Sequence, residues 1–207
     1  MSEKRSYVSP YRDRAAAATR ETILRCATAL FAEHGYARIT VADIAASAGV
    51  AVRTVYASAG NKAEILDRIV DEAVAASGYR RTVEEISRTD SPEEALRLLA
   101  RGTGAGNRSQ ETALTAVRQA LPVHESGEDL WRRATEVYRE ALRAVAGHLH
   151  ALGQLPPGLD PEQTADLLWL LFGPNSWHTL VHESGWSWEA AEELLHRTAV
   201  AAFARPA

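Results

Sequence analysis

The sequence predicts an all-α fold, with a small helical domain at the N-terminus and a larger one behind it. Three observations carry that expectation. Apolar residues recur at helical spacing along most of the chain, and no sustained alternation competes as strand. Helix-start signatures stand at Thr40, Asn61, Ser91, Asp160 and Ser187.

The elements follow in order. Helical periodicity runs from about Ala15 to His34, with Gly35 as terminator. Cys26 lies on its apolar stripe beside Ala27, Leu30 and Phe31, which gives it a packing role, and a single cysteine cannot form an internal disulfide framework. Thr40 caps a short helix and Asp43 completes a capping box, while Ile44, Ala45 and Ala48 face inward. Gly49 reverses the chain, Val50 anchors the turn in the core, and a second short helix runs from about Ala51 to Ser58. Asn61, with Glu64 three residues on, opens a longer helix whose stripe is Ile65, Leu66, Ile69, Ala73 and Val74.

Beyond it, Ser91-Pro92-Glu93-Glu94 combines a cap, a first-turn proline and a returning carboxylate, and Asp160-Pro161-Glu162-Gln163 repeats that logic. Helices are expected near 107–121, 127–152, 161–181 and 187–203, the last capped by Ser187 and facing inward with Ala191, Leu194, Leu195, Thr198 and Ala202. The glycine-rich stretch 102–106 and Pro156-Pro157-Gly158 are expected to separate helices. The domains are expected at 1–62 and 63–207.

Charge is unevenly distributed. The net formal charge is −4, but residues 1–62 hold nine Lys/Arg against five Asp/Glu and residues 63–207 hold fourteen against twenty-two. The polyanion-binding candidate is therefore the first domain, attached to an acidic body. Lys4, Arg5, Arg12 and Arg14 form a basic arm that can meet phosphate. No apolar run approaches a membrane span and no apolar secretion signal follows the charged start, so a soluble, cytoplasmic protein with no membrane partner is expected.

The hinged pair in residues 40–62 can place a helix in the major groove of DNA. Arg53 carries a fork suited to guanine or phosphate, and Thr54 offers a hydroxyl or a methyl. Tyr56 and Lys62 suit the sugar–phosphate backbone. This stretch resembles the TetR-family transcriptional regulators through Phe31, Gly35, Thr40, Val41, Ile44, Ala45, Ala48, Gly49, Val50, Thr54, Tyr56, Gly60 and Lys62, over roughly the first 70 residues. The resemblance implies an N-terminal helix-turn-helix DNA-binding domain and a helical ligand-binding and dimerisation domain. It also implies a homodimer that represses transcription from a partly palindromic double-stranded operator. By position it adds Thr40 to the DNA contacts and agrees with Thr54, Tyr56 and Lys62. Ala51, Ala57 and Ala59 depart from the family pattern, which has a small polar residue at the first, a larger polar residue at the second and an aromatic at the third.

The C-terminal helices of such regulators commonly enclose a small effector. Trp131 and Tyr138, seven apart on one expected helix, and Trp169 on another can line an apolar wall, and Phe172, Trp177, His178 and His182 follow closely. Such a wall suits a hydrophobic or aromatic effector; core and dimer packing account for the same residues equally well. Leu167, Leu168, Leu170, Leu171, Leu194 and Leu195 give the last two long helices faces for a second copy.

Chemistry of other kinds is poorly supported. Gly102-Thr103-Gly104-Ala105-Gly106 lacks the spacing of a nucleotide loop, and His182-Glu183 lacks the second histidine of a zinc signature. No catalytic residue, metal or cofactor is expected. A small-molecule helical enzyme and a helical interaction protein without DNA binding remain the competing classes.

Overall fold

The structure, a computed structural model, describes residues 10–153 and 158–203. Lys4, Arg5 and the Arg12 side chain of the expected basic arm lie outside the described residues, as do Pro156 and Pro157. The order is α1 (Pro10–His34), a 3-10 turn at Tyr36–Arg38, α2 (Val41–Ala48), α3 (Val52–Ser58), α4 (Lys62–Ala76), α5 (Tyr79–Ile86), α6 (Pro92–Ser109), α7 (Glu111–Ala120), α8 (Gly127–Ala151), α9 (Pro161–Phe172), α10 (Pro174–His178), a π turn at Thr179–Glu183, and α11 (Trp188–Phe203). Among the described residues there is no strand. None of these helices is long and apolar enough to cross a membrane. The residues group into two units, one taking the chain to Ala73 with Thr112–Trp131, the other taking Val74–Glu111 and the chain from Arg132 onward.

In the first unit, α1 packs on α2 and α3. Ile23, Leu24, Ala27 and Phe31 of α1 are buried, as are Ile44 and Ala45 of α2 and Val55 of α3. The Thr40 hydroxyl accepts from the Asp43 N–H at 3.2 Å while the Asp43 carboxylate accepts from the Thr40 N–H at 2.8 Å, which completes the expected box. Gly49 ends α2 in the left-handed region at φ 67°, where any side chain would strain the backbone. Val50, expected to anchor this turn in the core, is only half-buried; its N–H donates to the Ala45 carbonyl at 3.0 Å, so backbone bonding does that work. Asn61 caps α4 by accepting from the Ala63 and Glu64 amides, and Glu64 accepts from the Asn61 N–H.

In the second unit the core is built by Leu96, Leu99, Leu142, Leu149, Leu168, Phe172 and Trp177, with Leu195, Ala199 and Phe203 from α11. Ala199 and Phe203 are buried where Thr198 and Ala202 were expected; those two are exposed. One step along a helix turns a side chain by about 100°, so a stripe placed one residue off faces water. The helix expected over 161–181 breaks at Gly173-Pro174, because proline supplies no amide to continue the ladder. The Phe172 carbonyl is met by side chains instead, the Tyr138 hydroxyl at 2.6 Å and the Trp177 indole N–H at 3.1 Å. Glu94 does not return to its cap as expected. The Ser91 N–H donates to the Thr89 hydroxyl, and Glu94 pairs with Arg97.

The glycine-rich stretch is not a link but the interior of α6. A methyl group added at Gly104 would lie 2.9 Å from the Trp177 ring, and at Gly106 3.1 Å from the Ser77 carbonyl. The glycines remove side chains where other groups approach the helix. Alanine is favoured over glycine in a helix by about 0.5–1 kcal/mol, whereas overpacking a tight core costs about 1–3 kcal/mol. Gly147 of α8 has nothing within 4 Å of such a methyl. Gly147→Ala should therefore raise the urea midpoint and Gly104→Ala should lower it; equal shifts would show that Trp177 yields without cost.

Candidate nucleic-acid interface and effector region

The candidate reading surface is the outward side of α3. Val55 is fully buried, which fixes the rotation of this seven-residue helix and leaves Arg53 exposed, Thr54 half-buried and Tyr56 54% exposed. Thr40 is exposed at the start of α2, its hydroxyl also donating to the Asp43 carboxylate at 2.6 Å. Those hydrogen bonds hold the Asp43 carboxyl below the usual carboxylate range. Arg53, Thr54 and Tyr56 thus share one short helix, with Thr40 at the head of the helix before it.

Lys62 stands differently. Its ammonium donates to the Tyr36 and Ile39 carbonyls, both at 2.8 Å, and lies 4.3 Å from the centre of the Tyr36 ring. Partial burial lowers its pKa. Two of its three donors are thereby engaged in fastening the turn before α2 to the start of α4. Tyr36 in turn packs edge-on against Phe31 at 5.0 Å and lies 5.7 Å from the His124 ring. Sequence reasoning did not find this fastening, since nothing local links a lysine to carbonyls more than twenty residues earlier.

Two guanidiniums hold the far end of α3. The Arg20 Nε donates to the Ser58 carbonyl at 2.9 Å and the Arg68 Nε to the Ala59 carbonyl at 3.1 Å. Ala51 provides no side-chain cap at the other end, and Ala59 is fully buried.

The expected effector residues are distributed over both units. Trp131 falls in the first unit, with the Arg118 guanidinium 5.6 Å from its ring centre. Tyr138, Trp169, Phe172, Trp177 and His178 fall in the second. There Trp169 meets Tyr138 edge-on at 5.8 Å and carries the Arg139 guanidinium 4.1 Å from its ring centre. The Tyr138 hydroxyl also accepts from the Asn107 amide at 3.4 Å, and burial raises the phenol well above its ordinary pKa. Phe172 and Trp177 are buried in the core, Trp177 stacked on Trp188 at 5.8 Å. His178 and His182 come together with ring centres 5.1 Å apart, each near a carboxylate: Glu183 at 3.6 Å from His178 and Glu111 at 3.7 Å from His182. Among the described residues no group of three or more His, Cys, Asp or Glu is placed to hold a metal.

Neutralising the Lys62 fastening should cost about 1–3 kcal/mol, since two part-buried carbonyls lose charged donors. Lys62→Met should lower the unfolding midpoint accordingly; an unchanged midpoint would mean that water serves those carbonyls as well.

Comparison with known proteins agrees with this geometry. The family model described as "Bacterial regulatory proteins, tetR family" matches residues 23–69, the segment from α1 into α4. PfmR, a TetR-family regulator from Thermus thermophilus, is 21% identical with a TM-score of 0.68, over 97% of this chain and 99% of that one. SmeT, the repressor of the Stenotrophomonas maltophilia multidrug efflux pump SmeDEF, is 25% identical with a TM-score of 0.69, over 91% of each chain. FadR from Bacillus subtilis, solved with stearoyl-CoA, is 20% identical with a TM-score of 0.71, over 88% of this chain and 98% of that one. No curated protein gives a significant sequence match. Residues 23–69 thus match the head of the bacterial TetR-family regulators, and the all-helical fold behind them is shared with solved regulators of that family.

Proposed function

We propose that the protein is a ligand-responsive transcriptional repressor that binds a partly palindromic operator as a homodimer. Residues 1–62 read DNA, and residues 63–207 bind effector and dimerise. The observation that carries this reading is the outward face of α3, where Arg53 and Tyr56 project from a helix set by the α2 turn. Net charge agrees, since residues 1–62 carry a positive balance and residues 63–207 a negative one. Arg53 and Thr54 take base-edge contacts, Thr40 and Tyr56 the backbone, and the remaining donor of Lys62 a phosphate.

The effector is a small hydrophobic or aromatic molecule. Half-buried Tyr138 and Trp169 offer ring faces beside a buried hydroxyl, and they are the strongest of the expected contacts. His178 is a polar edge of the same unit, whereas Phe172 and Trp177 act from behind by shaping the core. SmeT has been solved with triclosan and the Bacillus subtilis FadR with stearoyl-CoA, the first an aromatic ligand and the second one with a long apolar acyl chain on a polar carrier. Dimerisation is supported by Leu170, 67% exposed near the end of α9. Leu168 and Leu195, by contrast, are spent on the protomer's own core.

Selection of bound sequences from a random duplex library should recover two related half-sites with the intact protein. On that duplex Arg53→Ala should lose about 1–3 kcal/mol and relax the base preference at one position per half-site. Lys62→Met should reduce the slope of affinity with salt by about one if its third donor reaches phosphate. Recovery of no sequence by folded protein would overturn the repressor reading, and equal loss on all duplexes would move Arg53 to the backbone.

A further inference from the structure

The outward face of α3 carries a feature that charge and hydrogen bonding leave unexplained. Val52, the first residue of the helix, is 42% exposed, and Tyr56, one turn later, is 54% exposed. Residues four apart lie on one helical face, so a branched aliphatic group and an aromatic ring sit side by side in water. Arg53 and Thr54 follow Val52 on the same short helix, while Val55 and Ala59 are turned fully inward. Val52 is thus not part of the small core, whose α3 contribution is already supplied.

We propose that Val52 is a specificity-determining residue that packs on a thymine C5-methyl group in the major groove. This rests on the DNA-reading function proposed above. The thymine methyl is the one apolar group among the major-groove base edges, so it is the feature of a duplex that an aliphatic side chain can favour. Cytosine offers an amino donor there, and the purines offer polar atoms that Val52 cannot satisfy. Ala51 and Ala57 flank this stretch with no more than a methyl, so neither holds the helix away from the groove floor. Arg53, adjacent in sequence, supplies the polar half of the readout. The half-site is then expected to hold a thymine read by Val52 and a guanine read by Arg53.

The test removes one methyl group at a time. With the duplex selected by the intact protein, each half-site thymine is replaced by deoxyuridine, which keeps every hydrogen bond and deletes only the methyl. One position per half-site should weaken binding about fourfold, the worth of one buried carbon group. Val52→Ala should bind the thymine duplex more weakly and should not distinguish it from the deoxyuridine duplex. Arg53→Ala, made in parallel, should retain that distinction. A wild-type protein indifferent to every methyl, or a Val52→Ala protein still sensitive to the same methyl, would overturn the proposal, the second result assigning the contact to a neighbour such as Tyr56. Unchanged affinity of Val52→Ala for every duplex would overturn it too and leave this face to a partner other than DNA. Failure to select any duplex would overturn the DNA-reading function and this inference together, whereas selection without methyl dependence overturns only the role of Val52.

Discussion

One lysine cation sets the geometry of the reading head. The Lys62 ammonium holds the carbonyls of Tyr36 and Ile39, and so ties the turn that launches α2 to the residue that starts α4. Between those points lie α2, the Gly49 turn and α3, with little core of their own. Short helices of this length are marginal in isolation, so their placement depends on what fixes their ends. The cost is visible in the lysine itself, whose pKa falls because part of its hydration is given up. A lysine that serves the fold in this way has one donor left for a ligand.

The second unit solves a different problem. Pro174 stops α9 and leaves the Phe172 carbonyl facing the interior, where an unmet acceptor would be costly. Tyr138 and Trp177 both donate to it, so one carbonyl orients two aromatic side chains from α8 and α10. Trp177 can reach that place only because Gly104 leaves room on α6. The residues most suggestive of a ligand wall in sequence are therefore partly structural. Trp169 and the ring of Tyr138 remain at the margin of this arrangement, where a ligand can still touch them.

What was legible in the sequence follows the range of the interaction. The Thr40 and Asp43 box, the Asn61 cap with Glu64 and the Asp160 cap with Gln163 are three-residue interactions, and each stands where the sequence places it. Glu94 shows the limit even there, because Thr89 and Arg97 compete for the same partners. Gly102 to Gly106 carry no local sign that distinguishes a link from a helix face under close contact, since the deciding neighbours, Thr82, Trp177 and Ser77, are distant in sequence. The spacing of Trp131 and Tyr138 was visible, but what each packs against depends on which other helices arrive. For Lys62 the charge was legible and its partners were not.

The departures at Ala51 and Ala59 take on meaning from the way α3 is held. With no side-chain cap at Ala51, the beginning of the helix is not fastened by its own sequence. Its end is fastened strongly, because Arg20 and Arg68 bring guanidiniums to the Ser58 and Ala59 carbonyls, where the helix dipole favours cations. Ala59 sits wholly buried in that grip, so a larger side chain there would have to displace what surrounds it. The helix is thus anchored at the end that points back into the domain and lightly held at the end that carries Val52 and Arg53. The first turn therefore rests on backbone hydrogen bonds alone, the Thr54 and Val55 amides donating to the Ala51 carbonyl at 2.8 and 3.3 Å.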